Sequence, residues 1–509
     1  MNIGYFLIKS ASKYPQKTIL KSEDGDISYK AFNERVNQLS NALISLGLKK
    51  GDKIATLFFN CQEMCESYFA ITKAGSVLVP MNARLKDREL AGLLNHCDAK
   101  ALIFHTEFSP VVSKMRSDIT NIKHFIEARG KTDDENLTYE SLLEKQPKHE
   151  PDIKITEEDD FAVVYTAGTT GRPKGCLLSH RNYIWGSLNG IMDMDIQHED
   201  RNLVVFPMFH TAGLSSLIQR VSMGNTLYLM KSVDIKTILE IIDREKITSL
   251  ALVPTLFNAL LQFPDLEKYD RSSVRYFTSA AAIFPIELKN QTNKVFPNAV
   301  AGEIYGMSEE AGLGTRLLPK DVFRKIACVG QAFTHHEVRI VNEDGEDVKP
   351  GEVGEIIFRG PVVMKGYYKD PVATNQVIKD GWLYSGDLAK IDEEGYIYIV
   401  DRKKDLIVSG GINIYPREIE DVLYTHPKIA EAAVIGVKDP KWGETVKAIV
   451  VPKAGEKLIS EEIIDFCAAR LASYKKPTSV DIIEALPKTA SGKIQKVQLR
   501  EKYIKAVQY

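Results

Sequence analysis

The stretch Tyr165–Gly175 reads YTAGTTGRPKG and combines glycines and threonines with one lysine. It follows an apolar run, Phe161–Thr166, that predicts a strand, and it precedes Ser179, which we expect to cap a helix. Glycines allow backbone N–H groups to approach an oxyanion, and the threonine hydroxyls and the Lys174 ammonium are further donors. The spacing is not that of a Walker A loop, because the glycines are not followed by a Lys-Ser/Thr pair. The sequence therefore predicts a phosphate-binding loop of another kind.

Outward from this loop, short apolar runs alternate with helix-like segments. One such segment, IKTILEIIDREK, follows Asp234, a residue type that caps helices. Alternation of this kind predicts a parallel sheet covered by helices. The first 150 residues show the same alternation, and they predict a helix in AFNERVNQLSNALISLGL and a strand in DKIATLFF. The apolar runs are Phe161–Thr166, Leu203–Phe206, Thr226–Met230, Ile247–Val253, Val274–Thr278 and Ala299–Tyr305.

The pattern changes after about residue 325. Alternating runs such as LAKIDEEGYIYIV are joined by Asp-Gly or Glu-Gly turns and predict antiparallel hairpins. The charged, glycine-rich stretch DRKKDLIVSGG suits a hinge. We therefore predict an α/β fold: a large domain over residues 1–401, built of helix-covered, mainly parallel sheets with a β-rich subdomain at about 325–400, and a small mobile α+β domain over residues 402–509.

Composition excludes several classes of partner. The chain has 509 residues, 44% hydrophobic and 26% charged, with a net charge of −2, so it lacks the positive field that recruits nucleic acid. The sequence contains no run of about 18 apolar residues, so we expect no membrane span. Six scattered cysteines suit a reducing cytosol. Cys61 and Cys65 share a helix face, and we interpret them as core residues, since a zinc site needs further ligands nearby.

Five further motifs follow the loop in order: FPMFHTAGL, YGMSEEAG, GWLYSGDLAKIDEEGY, DRKKDLIVSGGINIYPREIE and PKTASGK. Together with YTAGTTGRPKG they resemble the motifs of the AMP-forming adenylating enzymes, which include acyl-CoA synthetases, luciferases and the adenylation domains of peptide synthetases. The resemblance extends from about residue 160 to residue 496. Within that family the sequence looks most like bacterial fatty-acid–CoA ligases.

The resemblance implies a site for ATP and AMP. Tyr305 offers an aromatic face to a purine, and Glu309 offers a carboxylate to a hard cation. Asp387 can accept both ribose hydroxyls. Glu309 and Thr166 are the implied ligands of Mg²⁺. The nucleotide residues implied by the resemblance are Thr166, Ala167, Gly168, Thr169, Thr170, Gly171, Lys174, Tyr305, Gly306, Met307, Ser308, Glu309, Asp387, Arg402 and Lys493.

The implied reaction has two steps. A carboxylic acid and ATP give acyl-AMP and pyrophosphate, and CoA then displaces AMP. Lys493, in PKTASGK, is the cation that stabilises the developing charge in the first step, together with Thr166, Lys174 and Glu309. The small domain is expected to turn about Lys404 between the steps. The CoA residues implied by the resemblance are Ser409, Gly410, Gly411 and Asn413.

The acid itself is less closely specified. The implied acyl pocket contains His210, Thr211, Gly213, Ala280, Ala281 and Gly306. We interpret His210 as a pocket wall, because adenylation of a preformed carboxylate needs no base. Relatives usually carry Gly-Gly where Ala280 and Ala281 stand, so two added methyl groups are expected to narrow the pocket. The absence of Lys or Arg from this set favours an apolar monocarboxylate, a medium- or long-chain fatty acid.

Several alternatives stay open at the sequence level. An arylalkenoate ligase of the coumarate type shares all of these motifs. A carrier protein could replace CoA as the thiol acceptor, and an oxygenating luciferase has the same fold. A regulator that binds nucleotide without turnover is a different class, and retention of Lys493, Glu309 and Lys174 argues against it. A homodimer is compatible with the sequence.

Overall fold

A computed structural model of the chain describes residues 1–130, 136–166, 173–279, 284–488 and 494–505, without the side chains of the last two. The α-helices in this part of the chain are α1 (Gly4–Lys13), α2 (Tyr29–Ser45), α3 (Gln62–Lys73), α4 (Asp87–His96), α5 (Ser109–Met115), α6 (Tyr139–Glu144), α7 (His180–Asp193), α8 (Thr211–Ser222), α9 (Ile235–Glu245), α10 (Pro254–Leu261), α11 (Ile286–Val295), α12 (Pro371–Val377), α13 (Pro416–Tyr424), α14 (Ser460–Ala468) and α15 (Lys496–Lys505).

The strands follow the predicted apolar runs with small differences at their ends. They are β1 (Thr18–Ser22), β2 (Gly25–Ser28), β3 (Lys53–Leu57), β4 (Val77–Pro80), β5 (Ala99–His105), β6 (His124–Ala128), β7 (Leu137–Thr138), β8 (Asp160–Thr166), β9 (Lys174–Ser179), β10 (Arg201–Val204), β11 (Thr226–Leu229), β12 (Ser249–Leu252), β13 (Tyr276–Ser279), β14 (Val300–Tyr305), β15 (Thr315–Leu317), β16 (Gln331–Ala332), β17 (Glu337–Val341), β18 (Val353–Arg359), β19 (Gly366–Tyr367), β20 (Ile378–Lys379), β21 (Trp382–Ile391), β22 (Ile397–Arg402), β23 (Ile407–Ser409), β24 (Ile412–Ile414), β25 (Ile429–Asp439), β26 (Gly443–Pro452) and β27 (Ser479–Ile482).

Two large sheets are mainly parallel, as the sequence predicts. One has the order β16-β15-β14-β13-β12-β10-β11-β1-β2, and the other has the order β19-β9-β8-β4-β3-β5-β6-β7. In the first sheet the pairs from β14 through to β1 are parallel, and antiparallel pairs extend it at both ends. The crossover helices supply the apolar faces that cover such sheets. One of them, α9, is capped by the predicted Asp234, whose carboxylate accepts from the backbone N–H of Thr237.

The phosphate-loop region differs from the sequence expectation in one respect. The sequence predicted a strand, a loop and then the helix capped by Ser179, but a further strand, β9, precedes that helix. It pairs with β8 in antiparallel register, with Val164 opposite Cys176 and Thr166 opposite Lys174. The run after Lys174 is apolar and largely buried, so it adds to the sheet rather than forming a loop. Ser179 caps α7 as predicted.

The chain divides into two compact units. The first contains Met1–Gly168, Pro173–Val338 and Phe358–Leu383, and the second contains Arg339–Ile357 and Tyr384–Tyr509. The β-rich sheet has the order β17-β18-β21-β20, with β22 beside β21. The antiparallel β21–β22 pair is the hairpin that the DEEG turn predicts.

Within the second unit, a sheet of order β24-β23-β26-β25, with β27 beside β26, has helices on both faces. Ile419 of α13 and Ile463 of α14 pack on one face, and Leu499 of α15 packs on the other. This is the predicted small α+β domain. The six cysteines are free thiols, all buried. Among the described residues, no helix combines the length and apolar character needed to cross a bilayer.

Candidate active site

Three predicted catalytic residues are connected by a chain of contacts at the end of the β8–β9 hairpin. Thr166, the last residue of β8, donates from Oγ1 to the carbonyl oxygen of Lys174 at 3.4 Å. The Lys174 ammonium lies 4.7 Å from the centroid of the Tyr367 ring, within the range of a cation–π contact. The Tyr367 hydroxyl donates to Oε1 of Glu309 at 2.8 Å. One aromatic ring therefore holds both the ammonium and the carboxylate.

Tyr367 is a residue that the sequence analysis missed. It belongs to β19, a two-residue strand that pairs with β9 and places Tyr367 opposite Cys176. Burial raises the pKa of Tyr367, and the neighbouring charge of Glu309 raises that pKa further. The phenol is therefore a neutral donor at physiological pH. The GYYKD motif contains two adjacent tyrosines, and no local feature of the sequence indicates that the first of them belongs to the site.

Glu309 lies in the 3-10 turn Ser308–Glu310, which begins after two residues that follow the strand ending at Tyr305. Its backbone oxygen accepts from the N–H of Met364 at 2.8 Å, which fixes the turn against the segment leading into β19. Burial and the nearby Glu309 carboxylate raise the pKa of the Cys176 thiol well above its usual value. Cys176 is therefore an uncharged neighbour rather than a nucleophile.

The donor set around Glu309 fits magnesium. Carboxylate and hydroxyl oxygens are hard ligands, and Mg²⁺ at nucleotide sites is usually bound by one or two protein carboxylates plus substrate phosphates. Glu309 supplies such a carboxylate, and the half-buried Thr166 supplies a hydroxyl oxygen. No group of three or more His, Cys, Asp or Glu side chains suited to a metal occurs in the described part of the chain.

The YGMSE segment leaves the sheet at the carboxyl end of β14. The Tyr305 ring stacks on Phe358, with centroids 6.3 Å apart and planes at 30°. Gly306 is required by packing, because a Cβ there would lie 2.6 Å from backbone atoms of Gly312. Ser308 accepts a hydrogen bond on Oγ from the Thr211 hydroxyl at 3.0 Å. The predicted nucleotide segment is therefore held from several sides.

The Ser308–Thr211 bond connects this segment to the predicted acyl-pocket residues. Thr211 is buried at the start of α8, and Gly213 is buried two residues further along the same turn. His210 precedes the helix, half-buried, with its ring centroid 4.6 Å from that of Phe209. The structure therefore brings together His210, Thr211 and the YGMSE segment.

The predicted ribose residues lie in the second unit, on the β21–β22 hairpin. Asp387 and Arg402 are directly opposite each other, and the Arg402 Nε lies 3.4 Å from the Asp387 Oδ1. Asp387 is buried, whereas the Arg402 side chain is about half exposed. Glu355 fixes the hairpin, because it accepts from the N–H of Gly386 at 2.9 Å and pairs with Lys403 at 2.9 Å.

The predicted hinge and CoA residues follow the hairpin. Lys404 lies in the 3-10 turn Lys403–Asp405, where burial and the Arg402 charge lower its pKa. Ser409 ends β23, and Gly410 and Gly411 form the turn with φ values of 58° and 81°, which glycine adopts without strain. Gly410 donates its N–H to the carbonyl of Trp442 at 2.7 Å. Asn413 follows on β24, exposed.

Several predicted residues lie outside the described residues. The remaining predicted residues divide by unit: Thr166, Lys174, Tyr305 and Glu309 belong to the first, and Asp387 and Arg402 belong to the second. Those outside the described ranges are Ala167, Gly168, Thr169, Thr170 and Gly171 of the phosphate loop, Ala280 and Ala281 of the acyl pocket, and Lys493.

Residues 7–368 match the model of the AMP-binding enzyme, and residues 418–493 match that of the AMP-binding enzyme C-terminal domain. The chain therefore belongs to the family of AMP-binding enzymes and, with acid–CoA ligases as its relatives, is an AMP-forming acid–CoA ligase. This confirms the family that the motifs predicted.

Relatives cover the chain nearly end to end. A feruloyl-CoA synthase of Amycolatopsis sp is 36% identical over 98% of this chain and 99% of its own. The long-chain-fatty-acid–CoA ligase FadD13 of Mycobacterium tuberculosis is 34% identical over 99% of this chain and 98% of its own. A solved structure of the anthranilate CoA ligase AuaEII in complex with anthranoyl-AMP is similar, with a TM-score of 0.91 and 28% identity over 100% of this chain and 98% of its own.

Proposed function

We propose that this ligase activates an apolar monocarboxylic acid, a medium- or long-chain fatty acid, and transfers the acyl group to CoA. The observation that supports this acid class is the character of the described acyl-pocket candidates. His210, Thr211, Gly213 and Gly306 include no lysine or arginine, and the neighbouring ring is that of Phe209. A second carboxylate on the substrate would need a cationic partner.

The nucleotide is proposed to bind through the residues that the motifs indicate. Tyr305 would stack on adenine, Ser308 would contact a phosphate, and Asp387 with Arg402 would bind the ribose. Lys174 would share the charge of the departing pyrophosphate. Glu309 and Thr166 would hold Mg²⁺, which when bound neutralises charge on the phosphates.

In the first step a carboxylate oxygen of the acid attacks the α-phosphorus of ATP, and the bond from that phosphorus to the pyrophosphate oxygen breaks. Lys174 and Lys493 are proposed to stabilise the charge that develops during this exchange. In the second step the CoA sulfur attacks the acyl carbon, its proton is lost to solvent, and AMP leaves. Ser409, Gly410, Gly411 and Asn413 are proposed to position the pantetheine arm.

The decisive experiment measures AMP release and thioester formation with CoA over a panel from acetic to stearic acid, together with benzoic, cinnamic, ferulic and malonic acids. We expect the highest kcat/KM with aliphatic acids of medium or long chain and little turnover of malonate. Lys174→Ala, which removes the ammonium, should lose most of the activity with every acid in the panel. Omission of CoA should stop thioester formation even if a carrier protein is supplied.

An arylalkenoate is the second candidate. It is favoured by the 36% identity to a feruloyl-CoA synthase and by the likeness to an anthranilate ligase. The same panel separates the two, because a maximum at ferulate or cinnamate would overturn the fatty-acid proposal while leaving the ligase class intact.

A further inference from the structure

The FPMFH segment (residues 206–210) leaves its sheet at the carboxyl end of β10 and leads into α8. The hydrogen-bonded ladder between β10 and its neighbouring strands ends at Val204. The backbone N–H and C=O groups of the FPMFH segment therefore need partners outside the sheet. This segment ends at His210 and is followed by Thr211, and both residues belong to the proposed acyl pocket.

Asn60, a buried residue between β3 and α3, provides two of these partners. Its Oδ1 accepts from the N–H of Met208 at 2.9 Å, and its Nδ2 donates to the carbonyl oxygen of Phe206 at 2.9 Å. A backbone N–H only donates and a backbone carbonyl oxygen only accepts, so these two contacts determine the orientation of the amide. One side-chain amide therefore pairs with the FPMFH segment as the backbone of a neighbouring strand would.

Met208 is also held by residues of α3. The Tyr68 hydroxyl donates to the carbonyl oxygen of Met208 at 3.3 Å, and the Cys65 Sγ lies 3.9 Å from the Met208 Sδ. All three side chains are buried. Both polar backbone groups of Met208 are thus paired with side chains, those of Asn60 and Tyr68, that precede it by 148 and 140 positions in the chain.

These contacts connect the two large sheets of the first unit. Strand β3 belongs to the sheet that contains β8 and β9, whereas β10 belongs to the sheet that contains β13 and β14. Asn60 follows β3, and the segment that it holds follows β10. The position of the FPMFH segment is therefore fixed from outside its own sheet.

The FPMFH segment in turn fixes the start of α8. The His210 N–H donates to the carbonyl oxygen of Pro207 at 3.1 Å. A Cβ at Gly213 would lie 2.6 Å from the Cα of Met208 and 2.7 Å from the carbonyl oxygen of Pro207. The first turn of α8 therefore packs directly on the backbone that Asn60 holds. Because close-packed interiors transmit displacements, a shift of Met208 would move His210 and Thr211 as well.

We infer that Asn60 and Tyr68 are positioning residues that hold the FPMFH segment and the start of α8, so that His210 and Thr211 lie where the acid binds. The inference rests on the proposed acyl pocket, and it gives neither Asn60 nor Tyr68 a contact with the acid. Without the two side chains, the acid itself would have to order the segment, and the free-energy cost of that ordering would lower its affinity.

The test measures KM for the acid and KM for ATP in the full chain with Asn60→Leu, which removes the amide at similar side-chain volume. The acid is decanoic or ferulic acid, whichever the wild type turns over faster. KM for the acid should rise about tenfold, because the Met208 N–H and the Phe206 carbonyl lose their partners and the segment shifts. KM for ATP should change less than about threefold, because the proposed ATP residues lie on other segments.

Asn202→Leu is the matched control for Asn60→Leu. Asn202 is a buried asparagine of β10 itself, and its Nδ2 donates to the carbonyl oxygen of Ser249 at 3.3 Å. Both variants should lower the unfolding temperature, but Asn202→Leu should change KM for the acid less than about twofold. An equal rise in that KM in the two variants would overturn the inference. So would a lowered unfolding temperature with unchanged KM for the acid in Asn60→Leu, which would indicate a purely structural role.

Tyr68→Phe tests the same inference with a smaller change, and it decides if Asn60→Leu fails to fold. It removes one hydroxyl and keeps the buried ring, so KM for the acid should rise about threefold while KM for ATP stays near wild type. The control is Tyr29→Phe, because the buried Tyr29 also donates to a backbone carbonyl oxygen, that of Asn225, at 2.7 Å. Tyr29→Phe should leave KM for the acid unchanged, and equal values in the two variants would contradict the inference.

His210→Ala distinguishes this inference from the proposed function on which it rests. If His210→Ala changes neither KM for the acid nor the order of preference among the acids of the panel, the acyl-pocket proposal itself is wrong. If His210→Ala changes them while the Asn60 and Tyr68 variants behave like their controls, the acyl pocket stands and only the positioning role is overturned.

Discussion

Tyr367 and Tyr368 are adjacent in the chain, yet their hydroxyls contact different carboxylates. The Tyr367 hydroxyl donates to Glu309 at 2.8 Å, and the Tyr368 hydroxyl donates to Asp98 at 3.0 Å. Both pKa values are raised, mainly by burial, so both hydroxyls are neutral donors. A substitution of Tyr368 is therefore a matched control for the same substitution of Tyr367, whose hydroxyl contacts Glu309.

Replacing Tyr367 by Phe should lower kcat/KM for ATP about fivefold to tenfold, because a hydrogen bond to a charged group is lost and the Glu309 carboxylate is less firmly oriented. Tyr368→Phe should change the same quantity less than about twofold. The measurement is the rate of pyrophosphate release at saturating acid. Equal losses in the two variants would show that Tyr367 has no particular part in the site.

For individual residues, the sequence identified several that have suitable chemistry for the site, but it did not identify which other residues they contact. Lys174 and Glu309 were predicted from motifs in which each stands among residues of suitable chemistry. Tyr367 was not, since its partner Glu309 lies 58 positions away along the chain.

Helix α7 illustrates how a local signal acquires a tertiary role. Ser179 and Asn182 form a capping box, in which the Ser179 N–H donates to Asn182 Oδ1 at 2.7 Å and the Asn182 N–H donates to Ser179 Oγ at 3.3 Å. The Asn182 amide also donates to the carbonyl oxygens of Pro361 and Val363 at 2.7 and 2.8 Å. The cap therefore also fixes a segment that leads to β19.

Ser179→Ala should lower the free energy of unfolding by about 1 kcal/mol, the usual cost of a lost cap. Asn182→Ala should cost about 2–4 kcal/mol, because two carbonyl oxygens also lose their donor. Urea denaturation followed by circular dichroism measures both. A larger loss for Ser179→Ala than for Asn182→Ala would contradict the assigned contacts with residues 361 and 363.

Asp200 joins the helix α8 to the strands of the larger sheet. Its carboxylate pairs with Arg220 at 3.1 Å and with Arg275 at 2.6 Å, and Asp200 and Arg220 are both buried. Burial by itself raises the pKa of Asp200, but the hydrogen bond from Arg275 and the charge of Arg220 outweigh it, so the pKa lies below its ordinary value.

The sign of the pH effect follows from that depressed pKa. The stabilisation from Asp200 is complete above the unfolded pKa of about 3.9 and is lost as the pH falls through the lower folded value. Asp200→Asn should therefore show a smaller loss of stability below about pH 4 than wild type. At neutral pH it should be less stable by about 3–5 kcal/mol, because Arg220 stays buried without its partner charge.

The control for this prediction is Asp195→Asn. Asp195 also pairs with Arg275, at 3.2 Å, but its side chain is 75% exposed, so solvent screens the interaction. Asp195→Asn should leave the pH dependence of stability nearly unchanged. Identical acid-unfolding curves for wild type and Asp200→Asn would contradict the role given to the buried network.

At the scale of the whole molecule, the two steps of the proposed reaction use different residues. The sequence assigns the first half-reaction to Lys493, and we expect Lys493→Ala to reduce acyl-AMP formation by more than about a hundredfold, because a positioned cation at the developing charge is lost. Transfer from supplied acyl-AMP to CoA should remain within about threefold of wild type.

Lys488 supplies the matched lysine for that comparison. It lies nearby in the chain and pairs with Glu431 on the surface, so Lys488→Ala should leave both half-reactions near wild type. Pyrophosphate release reports the first step, and thioester formation from synthetic acyl-AMP reports the second. A Lys493→Ala variant that loses both steps equally would rule out separate use of this residue in the first step.

The amino-acid sequence by itself determined the class of this protein. Six ordered motifs indicated the family of AMP-forming adenylating enzymes, to which the acid–CoA ligases belong, and the alternation of apolar runs predicted helix-covered sheets and a small C-terminal domain. These features are carried by neighbouring residues, since glycine-rich loops, caps such as Ser179 and strand periodicity depend on short-range geometry. The acid was not determined, because a pocket is assembled from segments far apart in the chain.

The tertiary structure decided which side chains meet. It turned the segment after Lys174 into strand β9 and set Tyr367 between Lys174 and Glu309. Each of these contacts joins residues whose separation in sequence gives no information about their distance in space. The physical reason is that strand pairing and core packing join segments that are far apart in the chain. The local sequence determines which face of each helix or strand is apolar, but it does not determine which other face packs against it.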